Sequence, residues 1–145
     1  MPHLVILYSG NLDRDLDMTA VCRGLADAML SVKDDEGGQV FPTGGTRVLA
    51  YPAPHFAVSD GGRAGRAAGE SGDYGFMYLN LRMARGRSEA VRQRVGEVVS
   101  GAARELLSPL KDARRVGLTF QVDEGPEVYD AKFGNLHDLF RKGGR

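Results

Sequence analysis

An uninterrupted apolar run, Leu4-Val5-Ile6-Leu7-Tyr8, begins almost at the start of the chain. It is too short for a stable helix and reads as a strand covered on both faces. A strand in that position draws Met1-Pro2-His3 into the fold, whereas most chain termini lie loose in solvent. Proline suits the opening of an edge strand because it has no amide donor to leave unpaired. Pro2 also admits a chemical reading. A small residue after an initiator methionine generally permits removal of that methionine, which would turn Pro2 into a free secondary amine at the mouth of a buried strand. Pro2 is therefore the candidate general base.

The rest of the chain alternates strands and helices. Asp17 is a good N-cap for a helix reaching about Val32, with Met18, Val21, Cys22, Leu25, Met29 and Val32 at helical spacing despite the cost of Gly24. Residues 34–38, Asp-Asp-Glu-Gly-Gly, form a solvated turn. Val40 to Gly45 then feeds a second strand, Thr46 to Tyr51, and residues 52–58 continue it as an edge or irregular piece. Residues 59–73, rich in glycine and alanine and without periodicity, read as a mobile surface loop. Tyr74 to Ala84 alternates: Met77, Leu79, Leu81 and Met83 face one way, Phe76, Tyr78, Asn80 and Arg82 the other. Ser88 caps a helix whose buried stripe is Val91, Val95, Val98, Val99, Ala102 and Leu106. Pro109 follows it, and Val116, Leu118, Phe120 and Val122 alternate along a fourth strand. The tail ends in a short amphipathic piece with Leu136, Leu139 and Phe140.

The order is strand-helix-strand, twice. Phe41-Pro42 precedes Arg47-Val48 as Ser108-Pro109 precedes Arg115-Val116, an offset of about 67 residues. The expectation is one α+β domain over residues 1–145, with pseudo-repeats at about 2–58 and 74–123 and a tail at 124–145. Each unit should make a crossover between parallel strands, giving a four-stranded mixed sheet with both helices on one face. The other face also carries apolar side chains and no third long helix remains to cover it, so another subunit is expected there.

Composition narrows the function. Lys+Arg and Asp+Glu balance at 19 each, so no net charge points to nucleic acid or an anionic membrane. Arginines 82, 85, 87, 92 and 94 form a local basic stretch, which Glu89 and Glu97 dilute. No apolar stretch is long enough to span a bilayer, and no basic segment precedes the first apolar run as in a secretory signal. A single cysteine, Cys22, reads as a small core residue on a helix, and the expected compartment is the cytoplasm.

Two arginines stand out by position. Arg47 opens the second strand just past a glycine pair, and Arg87 lies in Arg85-Gly86-Arg87-Ser88 between a strand and its helix. Guanidinium groups there are placed to grip a carboxylate bidentately, although a solvated basic surface would look the same in sequence. A terminal amine ordinarily has a pKa of about 7.7–8.0. Apolar walls and neighbouring guanidinium charges both disfavour the ammonium, so cations that hold an acidic substrate would also keep Pro2 unprotonated. The histidines, His3, His55 and His137, lack ligand-like spacing, so no metal site is expected.

Pro2-His3-Leu4-Val5, Phe41-Pro42-Thr43-Gly44-Gly45-Thr46-Arg47, Gly86-Arg87-Ser88 and Lys132-Phe133-Gly134-Asn135-Leu136-His137-Asp138-Leu139-Phe140 together resemble the 5-carboxymethyl-2-hydroxymuconate isomerase family of the tautomerase superfamily. The resemblance covers nearly the whole chain. It implies a homotrimer of duplicated β-α-β units in homoprotocatechuate catabolism. In such an enzyme an amino-terminal proline shuttles a proton between carbons of an unsaturated oxo-diacid, without a cofactor, and arginines bind its carboxylates. Carried over by position, Pro2 is the catalytic residue and Arg47 and Arg87 bind substrate, with Tyr129 or Phe133 as an apolar wall. The acidic turn at 34–38 and the loop at 59–73 depart from the shorter members. Other readings stay open at this point: a phenylpyruvate-type keto-enol tautomerase, a hydratase or dehalogenase of the superfamily, or a trimeric binding protein without turnover.

Overall fold

The computed structural model describes residues 2–141. Strand β1 (His3–Ser9) leads through a short 3-10 turn into helix α1 (Met18–Ser31) and strand β2 (Arg47–Ala53). A one-turn helix α2 (Arg63–Ala67) precedes strand β3 (Gly75–Met83), helix α3 (Glu89–Leu106), the short α4 (Leu110–Ala113) and strand β4 (Val116–Glu124). The sheet order is β2-β1-β3-β4, with β1 parallel to β2, β3 parallel to β4, and β1 antiparallel to β3. The expected four-stranded mixed sheet is the one observed, made of two β-α-β units placed side by side. Among the described residues no helix is long and apolar enough to cross a membrane.

The alternation along the strands decides which face is covered. Leu4, Ile6 and Tyr8 of β1 and Met77, Leu79, Leu81 and Met83 of β3 are buried against Val21, Leu25 and Met29 of α1 and Val91, Val95 and Val99 of α3. Both helices start where the sequence says. The Asp17 carboxylate accepts from the Ala20 N–H at 3.2 Å, and the Ser88 hydroxyl from the Val91 N–H at 3.2 Å. Gly24, costly for α1 on propensity, lies at the contact between the helices. A Cβ there would stand 2.8 Å from Leu106 Cδ1, so a larger residue would make that side chain shift. Cys22 is half-buried on α1, and burial raises its thiol pKa.

Several expectations change. β1 is covered on one face within the single chain, with Leu7 exposed on the other beside Leu49, Tyr51 and Phe76. A continuous apolar run does not reveal which side the chain itself will cover. The stripe of α3 is turned slightly from the expected one: Ala103 is buried, while Val98, Ala102 and Leu106 are half-buried. Pro109 does follow the helix, and beyond it the chain adds one more turn, with Leu107 and Leu110 buried.

The segment 59–73 is not a structureless loop. The Asp60 carboxylate accepts from the Gly62 and Ala64 N–H groups at 3.0 and 2.9 Å, the Tyr74 hydroxyl accepts from the Gly65 N–H at 2.9 Å, and Arg115 clasps Glu70. These backbone bonds hold the Asp60 carboxyl below its usual pKa, the bond from Ala64 most. Hydrogen exchange provides the check. Asp60→Ala should speed exchange of the amides at Gly62 and Ala64 by roughly tenfold while those of β1 and β3 stay unchanged, as for a locally opening unit.

Candidate active site

The pairing of the strands assembles one end of the sheet from four separate stretches of sequence. β1 and β2 begin there, and β3 and β4 finish there. Pro2 is buried at that end, and its carbonyl accepts from the Arg47 N–H at 3.2 Å. His3 lies between Arg47 on β2 and Arg82 on β3, all three on the face turned away from the helices. The His3 imidazole has a pKa below the ordinary value, through partial desolvation first and through positive charge nearby, including that of Arg47.

Arg47 is half-buried, and one of its terminal nitrogens donates to the carbonyls of Gly44 at 2.7 Å and Thr46 at 3.1 Å. The turn Thr43–Gly45 therefore fixes the guanidinium. That turn is packed in its own right by the tail. A Cβ on Gly44 would stand 2.7 Å from His137 Nδ1 and 3.1 Å from Phe140 Cδ2, so only glycine lets the 3-10 helix His137–Phe140 dock there. Two of the stretches that carry the family resemblance thus meet beside Pro2.

Arg87 is held at the same end of the sheet, just past β3. It donates to the carbonyls of Val40 at 2.9 Å and Ala84 at 3.1 Å, and its guanidinium lies 5.5 Å from the centre of the buried Phe41 ring. Of the half-buried arginines, Arg94 pairs with Asp35 and Arg114 with Asp15 and Asp73. Arg47 and Arg87 are also half-buried, yet among the described residues neither has a carboxylate within 4.0 Å. A partly desolvated cation without a counter-ion is costly unless an anion arrives, and both such cations lie at the Pro2 end.

The residues of this end were not all visible in sequence. Arg82 reaches His3 only through the antiparallel pairing of β1 with β3, which alternation cannot supply. Asp130, far along the tail, comes close enough for its charge to act on His3, and Lys132 pairs with it. Tyr129 and Phe133 flank this stretch and are almost fully exposed, so within one chain neither walls a pocket. A cleft of about 680 Å³ lies between α3 and the last residues of β4, lined by Arg92 and Glu124 among others, and two more lie away from Pro2. One of about 610 Å³ runs between the 58–70 segment and Arg115, and another of about 460 Å³ lies on the open sheet face between Phe56 and Phe76. His55 is exposed, and among the described residues no cluster of histidine, cysteine or carboxylate could hold a metal ion.

Comparison with known proteins decides the family. The family profile described as 5-carboxymethyl-2-hydroxymuconate isomerase matches residues 2–140. The chain belongs to the 5-carboxymethyl-2-hydroxymuconate isomerase family. A 5-carboxymethyl-2-hydroxymuconate Delta-isomerase of Escherichia coli is 23% identical over 141 residues, covering 97% of this chain and 100% of that one. A crystal structure of a 5-carboxymethyl-2-hydroxymuconate delta-isomerase is 79% identical, with a TM-score of 0.97 over 100% of this chain and 96% of that one. The 5-carboxymethyl-2-hydroxymuconate isomerase from Deinococcus radiodurans R1 is 26% identical with a TM-score of 0.77, covering 97% and 95%. A member of the cis-3-chloroacrylic acid dehalogenase family, 14% identical with a TM-score of 0.57, shares the fold alone. The segment 34–38 is tied to α3 through Asp35 and Arg94, and the segment 59–73 lies near the starts of β3 and β4, away from Pro2.

Proposed function

We propose that this family member isomerises 5-carboxymethyl-2-hydroxymuconate in the breakdown of homoprotocatechuate, with the amine of Pro2 as its acid–base group once Met1 is removed. The observation that carries the reading is the pair of half-buried, carboxylate-free guanidiniums, Arg47 and Arg87, at the sheet end where Pro2 is buried. The neutral amine takes the proton of the dienol hydroxyl, or one from a carbon beside the carbonyl system. The electron pair spreads into a dienolate whose oxygen a guanidinium stabilises, as at any developing oxyanion. The Pro2 ammonium then returns the proton to a different carbon, so a C–OH on a double bond becomes C=O and a C=C shifts. Substrate gains and loses no electrons, so the step calls for no redox partner.

Arg47 is the first carboxylate anchor, because its N–H fixes the Pro2 carbonyl and the Thr43–Gly45 turn fixes its guanidinium. Arg87 is the second, with donors left over beyond those given to Val40 and Ala84. The open sheet face, with Leu7, Leu49, Tyr51 and Phe76, fits burial between subunits of a homotrimer. The two β-α-β units, about 2–58 and 74–123, fit an internal duplication, and a cytoplasmic location goes with the same reading.

The test is Arg47→Ala assayed on a panel of unsaturated oxo-acids. KM for the carboxymethyl substrate should rise by about 10- to 100-fold with kcat changed by only a few-fold, the effect of losing a charge-assisted bond made in ground and transition states alike. Turnover of phenylpyruvate alone would favour a keto-enol tautomerase, and Met1 still attached by mass spectrometry would favour a binding protein.

A further inference from the structure

The substrate named for this family carries more charge than two arginines can answer. A muconate is itself a dicarboxylate, and the carboxymethyl arm adds a third carboxylate. Arg47 and Arg87 account for two, and an anionic group left unpaired beside a buried strand end is costly. On the basis of the isomerase reading above, we propose that Arg82 is a third carboxylate-binding residue and that it reads the carboxymethyl arm.

Arg82 sits directly across β1 from Arg47: His3 pairs with Arg47 on one side and with Arg82 on the other, and all three share the face away from the helices. Two strand spacings separate the arginine backbones by roughly 9–10 Å. Both side chains can therefore reach the ground in front of His3 and Pro2 from opposite sides. Among the described residues Arg82 has a single, long carboxylate contact. Asp123 lies opposite it on β4 but accepts instead from the Asn80 side-chain amide at 2.8 Å. The nearest carboxylate is Glu127, 3.9 Å from Arg82 Nε. That is well beyond the roughly 2.7–2.9 Å of a charge-assisted hydrogen bond, so the donors of the guanidinium remain available. Glu127 marks where a carboxylate would stand, and it lies on the tail just past Gly125, whose N–H donates to the Met83 carbonyl at 2.9 Å. An incoming carboxylate would have to displace the exposed Glu127 side chain to take a bidentate grip on Arg82.

The experiment compares two substrates on wild type, Arg82→Gln and Arg82→Lys: 5-carboxymethyl-2-hydroxymuconate and the same hydroxymuconate without the carboxymethyl arm. Arg82→Gln should raise KM about 10- to 100-fold for the first and less than twofold for the second. Arg82→Lys, which keeps the charge and guards against a misfolded variant, should recover part of the loss on the first substrate alone. Equal KM changes on both substrates, or none on either, would overturn the assignment while leaving the Pro2 reading in place. A wild-type chain that turns over neither substrate would remove both.

Discussion

Replacing Pro2 by alanine should lower kcat on the carboxymethyl substrate by roughly 10²–10⁴, the usual contribution of a positioned acid–base group, with KM moved by only a few-fold. The variant keeps a terminal amine, but a primary one on a flexible bond in place of a ring nitrogen fixed by the start of β1. The fold should tolerate the change. β1 is anchored by Leu4 and Ile6, both buried, and by its pairing with β2 and β3. The Arg47 N–H bonds the carbonyl of residue 2, not its side chain, so that contact survives. An unaltered circular dichroism spectrum with a collapsed kcat in a steady-state assay is the expected pair of results. A rate within threefold of wild type would remove Pro2 from the chemistry.

The largest stability effect should come from a residue far from that site. Arg114 carries the most buried ion-pair cation described, its side chain 7% exposed, paired with Asp15 and Asp73 and donating to the Asp73 carbonyl at 3.0 Å. It ties the turn after β1 and the approach to β3 to the stretch before β4. Arg114→Ala would leave both carboxylates without this partner, and the expected loss is about 3 kcal/mol, the low end for a broken buried pair. Asp73 is 43% exposed on its side chain and keeps Arg14 and Asn11, which holds the loss down. The Asn11 amide first, and Arg114 next, hold the Asp73 carboxyl below the ordinary carboxylate value. A depressed pKa means stability that is fully present above the unfolded value and lost as pH falls through the folded one. Wild type should therefore weaken below about pH 4, and Arg114→Ala should show a smaller acid loss. Urea unfolding at pH 7 and pH 3 reads both effects.

The strands, both long helices and their caps were legible because each rests on a local pattern: alternation in 75–83, an Asp17 cap, a Ser88 cap. The fixed 59–73 segment was not, because it is built from single polar contacts, Asp60 to two amides and Glu70 to Arg115, that follow no period. Pro2, Arg47 and Arg87 were legible as positions beside strand and helix ends. What set Arg47 and Arg87 apart from the other arginines was the absence of a carboxylate beside a half-buried guanidinium, which only packing reveals. Arg82 became visible only with the β1–β3 register, which fixes a partner some eighty residues away.

The central claim is that a ring nitrogen at the start of β1 is neutral at working pH because guanidiniums and partial burial disfavour its charge. Its most direct measurement is an NMR titration of the purified chain carrying ¹⁵N-proline, following the Pro2 nitrogen. The account predicts a free amine titrating below the 7.7–8.0 or so of an ordinary terminus, at the pH where kcat/KM rises. A Pro2 nitrogen still in a peptide bond, or one titrating at or above that value while the rate is already at its plateau, would contradict it.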